Sequence, residues 1–153
     1  MTLKIAKGDL FEQKADCLVN PWNMNYIPWF LLLPHGVSGR LKKVAGYKPF
    51  NELLKKGIMK PGSAVITSGG KLPQPIIHVA GLRWYWMTDL NIIEKATRNA
   101  LYLAKKAGIK SIAFPLIGSG VGGLKAVDVI NTMSQVANEK DWNMEIILVE
   151  FSK

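Results

Sequence analysis

Cysteine and histidine are scarce in this sequence of 153 residues. It contains one cysteine, Cys17, and two histidines, His35 and His78. A single cysteine excludes an intrachain disulfide and a thiolate metal cluster. The sequence also has no HExxH motif, no GxSxG elbow and no clustered pair of carboxylates. We therefore expect no metal and no cofactor.

Acidic residues and long apolar runs are also few. The 11 Asp and Glu residues face 20 Lys and Arg residues, which gives a formal net charge of +9 and favours phosphorylated or polyanionic partners. The longest apolar run, residues 27–34, is far too short to span a bilayer. The first ten residues, with Lys4, Lys7 and Asp9, do not resemble a cleavable signal peptide. These observations predict a single intracellular, cytoplasmic domain over residues 1–153 with no membrane partner.

Hydrophobic periodicity predicts alternating strands and helices. Strands are expected at 2–7, 15–20, 63–68, 75–80, 112–117 and 144–151, and helices at 40–45, 50–56, 89–107 and 124–138. Leu54, Leu90 and Val127 are expected on the inward helix faces. The second strand is expected to stop at Asn20, because Pro21 has no N–H to donate. Mixed strands with long helices between them predict an α/β fold, a three-layer α/β/α sandwich with a mixed central sheet.

A glycine-rich loop follows the fifth predicted strand. Gly118, Gly120 and Gly123 match G-x-G-x-x-G between a strand and a helix, where backbone N–H groups and a helix N-terminus bind phosphate. A dinucleotide-binding Rossmann unit fits poorly, because the nearest strand acid is Glu150, 27 residues after Gly123 rather than about 20. A phosphate-binding loop of another kind is the preferred interpretation, and a purely structural turn is the alternative.

Other candidate site residues lie in loops and at a strand end. Asn20 and Asn23 are expected at the carboxyl edge of the sheet, where ligands bind in open α/β folds. His35 lies in a second glycine loop, residues 34–39, whereas His78 and Cys17 lie in apolar strands and are expected to be buried. The apolar residues 29–33 are interpreted as a core-packed loop, a lid over a ligand or a partner interface.

Residues 40–60 are strongly basic. They hold seven cations against one acid, Glu52: Arg40, Lys42, Lys43, Lys48, Lys55, Lys56 and Lys60. A solvated helical face is one interpretation of this segment. The other is an electrostatic landing area for nucleic acid.

The order and spacing of five segments resemble a macro domain, the ADP-ribose-binding module, along nearly the whole sequence. The segments are Lys7-Gly8-Asp9-Leu10, Leu18-Val19-Asn20-Pro21-Trp22-Asn23, residues 62–73, residues 76–81, and residues 111–122 with their Ser-Ile-Ala-Phe-Pro and Gly-Ser-Gly-Val-Gly. The resemblance implies that the ligand is ADP-ribose, either free or attached to a protein or nucleic acid.

The resemblance also implies roles for individual residues. Asp9, with the Leu10 backbone, would bind adenine, and Phe151 would border it. Asn23 would bind the distal ribose, with Asn20 beside it. The diphosphate would be wrapped by the backbone amides of Gly118, Ser119, Gly120, Val121 and Gly122. The facing wall of the cleft would be formed by Gly36 and Val37.

One departure from the family bears on catalysis. Hydrolytic macro domains carry Gly-Gly-Gly-Val-Asp-Gly where this sequence has Pro34-His35-Gly36-Val37-Ser38-Gly39, so Ser38 replaces the acid. A serine is no carboxylate base at neutral pH, which leaves Asn23 and His35 as the catalytic candidates. The resemblance implies ADP-ribose binding. Hydrolysis at the distal ribose C1″ is a further hypothesis, either through His35 or by a route in which a phosphate of the ligand positions the water. The alternatives are a non-catalytic reader of ADP-ribosylated targets and a basic nucleic-acid-binding domain.

Overall fold

A computed structural model describes residues 1–32, 36–83, 87–120 and 122–152. Among them the structure has ten helices and strands besides two short 3-10 turns. The strands are β1 (Thr2–Gly8), β2 (Cys17–Trp22), β3 (Ala64–Thr67), β4 (Ile76–Ala80), β5 (Ser111–Pro115) and β6 (Glu145–Phe151). The helices are α1 (Gly36–Ala45), α2 (Lys48–Leu54), α3 (Leu90–Lys106) and α4 (Ala126–Ala137).

The strands form one mixed sheet in the order β1-β6-β5-β2-β4-β3. Five strands run parallel to one another, and β3 pairs antiparallel with β4. The carboxyl ends of the five parallel strands therefore meet at one edge of the sheet, which is where open α/β sheets bind ligands.

Helices cover both faces of this sheet, which confirms the predicted three-layer sandwich. One apolar cluster joins the sheet to α3 and α4 through residues such as Ile93, Ala100 and Met133. A second cluster joins the other face to α1 and α2 through Leu41 and Phe50. Both faces of the inner strands β2, β4 and β5 are buried, so these strands read as apolar runs, whereas the edge strand β1 is largely exposed.

Three predicted inward positions are wrong. Leu54 is 38% exposed, Leu90 is 38% exposed and Val127 is 60% exposed. In α4 the buried valine of the first turns is Val129 rather than Val127. Residues i and i+2 of a helix lie about 200° apart around its axis, so an error of two positions in the buried stripe moves a side chain to the opposite face.

The second strand was predicted to stop at Asn20, but it continues through Pro21 and Trp22. Trp22 lies opposite Ala80 of β4, and its carbonyl oxygen accepts from the N–H of Gly81 at 2.9 Å. Because neighbouring residues of a strand direct their backbone groups to opposite sides, the nitrogen of Pro21 faces β5 rather than β4. The pairing of β5 with β2 ends at Leu18. The missing N–H of Pro21 therefore costs no ladder hydrogen bond.

None of the helices formed by the described residues is long and apolar enough to cross a membrane.

Candidate functional site

A cleft of about 1020 Å³ opens at the carboxyl edge of the sheet. Its floor is formed by the strand ends, including Gly8, Trp22 and Pro115. Its two walls come from segments that the sequence separates widely: the loop after β5 and the start of α1. The fold thus brings together the two glycine-rich segments that the sequence singled out.

The first wall is the glycine loop from Gly118 to Gly122. The Leu124 N–H donates to the Gly118 carbonyl at 3.0 Å, and the Gly123 N–H donates to the Gly120 carbonyl at 3.1 Å. The N–H groups of Gly120 and Gly122 donate to no acceptor among the described residues. Unpaired amide donors at the lip of a cleft are suited to an anion such as phosphate.

The glycines of this loop differ in how much room surrounds them. A Cβ on Gly122 would lie 2.5 Å from the Thr88 methyl and 2.7 Å from the Gly118 carbonyl oxygen. Gly118 has a φ of 86°, which favours glycine, and its Cβ would lie 2.9 Å from Ile93. A Cβ on Gly120 would meet no atom within 4 Å. Gly118 and Gly122 therefore shape the loop, whereas Gly120 borders open space.

The facing wall is the first turn of α1 rather than a loop. Gly36 begins this helix with a φ of 67°, so the predicted glycine loop over 34–39 is wrong from Gly36 onward. Gly36, Val37 and Ser38 line the cleft. The first N–H groups of α1 have no acceptor within the helix and none among the described residues, so this N-terminus with its partial positive charge borders the cleft opposite the glycine loop.

Ser38 lines the cleft, but its hydroxyl is directed into the protein. The Oγ donates toward the Asn20 Oδ1 at 2.9 Å and the Pro21 carbonyl at 3.1 Å. Asn20 in turn bonds the Nδ1 of His78 at 3.0 Å, and the Nε2 of His78 bonds Thr67 at 2.8 Å. Ser38 therefore stabilises a buried polar chain beneath the cleft.

Two predictions about this polar chain have different outcomes. Asn20 is 1% exposed and is not among the residues that line the cleft. Its partners His78 and Ser38 hold it beneath the cleft, so its predicted place beside the ligand stays a prediction without support from the cleft lining. His78 is fully buried, as predicted, and burial lowers its pKa to about 3.

Asn23 follows β2 and does reach the cleft. Its Oδ1 accepts from the Asn25 N–H at 2.7 Å, which fixes the orientation of the amide. Its side-chain nitrogen makes no hydrogen bond to another described residue. Asn23 thus presents a fixed donor to a bound molecule.

A paired cation and carboxylate border one end of the cleft. The Asp9 Oδ1 accepts from the Phe11 N–H at 2.9 Å, and its Oδ2 accepts from the Arg40 guanidinium. Burial opposes ionisation, but these two hydrogen bonds keep the pKa of Asp9 below its ordinary value. Arg40 also lies over the Phe11 ring, 5.2 Å from its centroid. Leu10 and Phe151 line the same end.

A lysine anchors the apolar segment at the opposite end. The Lys42 Nζ donates to the Trp29 carbonyl at 3.3 Å and lies 5.7, 5.9 and 5.4 Å from the ring centroids of Trp22, Trp29 and Phe50. Burial lowers the pKa of this ammonium group. The fixed segment contributes Leu31 and Leu32 to the cleft. The described part of this segment therefore packs against the second apolar cluster through Trp29 and Leu32 and also borders the cleft.

Some predicted residues lie outside the described part of the chain, namely His35 and Val121. Cys17 is buried in β2, and burial raises its pKa to about 12, which leaves no reactive thiolate at neutral pH. Within residues 1–32, 36–83, 87–120 and 122–152, no three His, Cys, Asp or Glu side chains cluster as metal ligands would.

Phe11, Arg40 and Lys42 are among the residues that line the cleft but were not predicted as site residues. Arg40 and Lys42 were interpreted only as part of a basic surface. The spacing offered one signal, because Lys42 lies four residues after Ser38 and therefore on the same face of α1.

Comparison with known proteins places this arrangement in a family. The sequence model of the Macro domain matches residues 19–133. A relative from Aeropyrum pernix is 36% identical over 151 residues, covering 96% of this chain and 77% of the relative. An O-acetyl-ADP-ribose deacetylase from Enterobacter cloacae is 34% identical over 128 residues, covering 79% of this chain and 68% of the enzyme. A mutant macrodomain of Oceanobacillus iheyensis, solved with ADPR, superposes with a TM-score of 0.81 at 28% identity, covering 99% of this chain and 86% of that one.

Proposed function

Because this chain belongs to the Macro domain family, we propose that its cleft binds ADP-ribose, free or attached to a macromolecule. One observation carries the proposal. The unpaired amides of the glycine loop face the N-terminus of α1 across a cleft of about 1020 Å³. Two such donor sets stabilise a diphosphate without a metal.

The cleft residues assign the parts of this ligand. The diphosphate lies between Gly120 and Gly36. Adenine lies at the end that Asp9 and Phe151 border, with its amino group donating to the Asp9 carboxylate. Arg40 also bonds that carboxylate, so adenine and Arg40 share its two oxygens as acceptors.

The distal ribose occupies the opposite end of the cleft. The side-chain nitrogen of Asn23 donates to a ribose hydroxyl there. Leu31 and Leu32 enclose the ribose on its apolar side, since both line this part of the cleft.

Calorimetry tests this assignment. ADP-ribose is expected to bind more tightly than AMP, which lacks the second phosphate and the distal ribose. Arg40→Ala is expected to retain the fold, because its side chain is partly exposed, and to remove the other donor to Asp9. No heat of binding with ADP-ribose at concentrations up to the millimolar range would overturn the proposal.

We further propose hydrolysis at the distal ribose C1″ as a second function. Its support is the fixed Asn23 amide. The similar enzyme named as an O-acetyl-ADP-ribose deacetylase cleaves an acetyl ester rather than a C1″ bond, so it supports hydrolysis of an ADP-ribose derivative in such a cleft but not the choice of bond. Ser38 is not the base, since its hydroxyl is engaged by Asn20 and Pro21. His35 is the proposed acid/base group, and a phosphate of the ligand is the alternative that positions the water.

Release of ADP-ribose distinguishes hydrolysis from non-catalytic recognition of an ADP-ribosylated target. The chain is incubated with ADP-ribosylated protein, and released ADP-ribose is measured for the natural chain and for His35→Ala. Release that falls in the variant supports hydrolysis through His35. Binding without release identifies a non-catalytic reader.

A further inference from the structure

Two exposed aromatic rings, Phe30 and Tyr47, flank Trp29 in the part of the chain that contributes Leu31 to the cleft, and exposed lysines lie on α1 and at the end of α2. We call Phe30, Lys43, Tyr47 and Lys55 the distal platform. From its geometry we propose that the distal platform binds single-stranded nucleic acid, so that the ADP-ribose in the cleft is carried by a nucleic acid. This inference rests on the proposed ADP-ribose binding and adds the class of the carrier.

Trp29 holds the aromatic part of the platform in place. Its ring stacks on Tyr47 with centroids 4.8 Å apart and planes 25° apart, and it meets Phe30 edge-on at 5.7 Å. Its Nε1 also donates to the Asn51 Oδ1 at 3.0 Å. These contacts hold the 3-10 turn Trp29–Leu31 against α2.

The outer faces of these rings are open to solvent. Phe30 is 61% exposed and Tyr47 is 60% exposed. Single exposed apolar residues are common, but here two rings flank the same Trp29. One face of Tyr47 is covered by Trp29, so the other is available for a stacking base. Rings fixed in this way lose little conformational freedom when a base stacks on them.

Cations surround the rings, and acids are few. Lys43 lies in the last turn of α1, Lys48 opens α2, and Lys55 and Lys56 follow its end, all of them exposed. The acid on α2, Glu52, has its carboxylate bonded by Ser68. Lys48 and Lys56 lie close enough to Glu52 to lower its pKa, which leaves Lys43 and Lys55 as the cations of the platform. Aromatic stacking surfaces with nearby cations are typical of single-strand binding sites, where bases stack and phosphates pair. An acidic protein could pair with the lysines of the distal platform, but it has no bases to stack on Phe30 and Tyr47.

The platform is continuous with the cleft. Leu31 follows Phe30 in the same turn. Its side chain lines the cleft and is 68% exposed. Lys42, next to Lys43, also lines the cleft and binds the Trp29 carbonyl. A strand attached to the distal ribose is therefore expected to leave the cleft beside Leu31, next to Phe30.

Fluorescence anisotropy with a labelled ten-nucleotide deoxythymidine strand, and with the matching uridine strand, tests the inference. At 50 mM salt we expect binding that weakens steeply as salt rises. Lys43→Glu with Lys55→Glu should weaken it at least tenfold, and Phe30→Ser at least fivefold. The matched control is Lys105→Glu with Lys106→Glu, the same charge change on exposed residues at the end of α3, and it should change binding less than threefold.

Calorimetry with ADP-ribose on the same variants keeps this inference distinct from the proposed function. The platform variants should retain the ADP-ribose affinity of the natural chain, which also shows that they fold. Equal losses in platform and control variants would overturn the inference, as would equal affinity for a ten-residue polyglutamate peptide. No strand binding at 50 mM salt with intact ADP-ribose binding would overturn the inference alone, whereas no ADP-ribose binding would overturn the proposed function.

Discussion

Gly120→Glu is expected to abolish most of the affinity for ADP-ribose without unfolding the protein. A Cβ at this position meets no atom within 4 Å, and Gly120 is not among the residues with positive φ. The substitution therefore brings neither a clash nor backbone strain. It places a carboxylate beside the unpaired amides that are proposed to bind the diphosphate.

The size of the effect follows from Coulomb's law. A carboxylate about 5 Å from one phosphate charge is repelled by about 3 kcal/mol at an effective dielectric of about 20, and by about 1 kcal/mol at the dielectric of water. The cleft is partly open, so the value lies between these limits. For the two charges of a diphosphate, a loss of about 2–4 kcal/mol is expected, which is about 30- to 1,000-fold in Kd.

Gly120→Gln is the matched control, because it has the same length without the charge. Calorimetry should show less than a tenfold loss for Gln and the larger loss for Glu, and the difference should shrink as salt rises. Adenosine has no phosphate, so its affinity should be equal in both variants. Equal weakening of ADP-ribose by Glu and Gln would refute the electrostatic reasoning, and unchanged affinity in both would refute the placement of the diphosphate at this loop.

The remaining predictions concern the loop, the polar chain and the buried histidine. Gly122→Ala should weaken ADP-ribose binding at least tenfold by calorimetry, because its Cβ would lie 2.5 Å from a threonine methyl, while Gly120→Ala binds normally; equal affinities would contradict the loop geometry. Ser38→Ala should lower the free energy of unfolding by about 1–2 kcal/mol in urea titrations, because the buried Asn20 Oδ1 loses its donor; no change would show that the bond contributes nothing. Because the pKa of His78 is about 3 when folded and 6.5 in the unfolded chain, only the unfolded state gains a proton as pH falls below 6.5, and stability should drop by about 1.4 kcal/mol per pH unit from this group. His78→Gln should show a shallower drop between pH 7 and pH 5 in the same titrations, and an equal slope would contradict a neutral buried imidazole.

Local pattern predicted most of the fold. Each strand and helix was anticipated because burial against a neighbour imposes a period of its own on the sequence. The errors came where local pattern carries no information. Pro21 was expected to end β2, but a proline is tolerated wherever its nitrogen faces no partner, and the early divergence of β5 is a property of the sheet.

The ligand site was predicted less completely than the fold. The glycine loop was visible because few other functions need several glycines between a strand and a helix. Asn20 and Asn23 looked equivalent in sequence, yet only Asn23 reaches the cleft. The difference is set by His78, which is 58 residues away from Asn20 and holds its amide inside.

The sequence by itself determined the α/β architecture, the glycine-rich segment between β5 and α4, and the resemblance to a macro domain. These depend on residue type and spacing, which act over a few neighbouring positions. Only the tertiary structure decided that α1 begins at Gly36, that Ser38 turns inward, and that Arg40 and Lys42 belong to the cleft. Each of these depends on a partner brought close by folding, as Arg40 is to Asp9 across 31 residues, and no local pattern encodes such a contact.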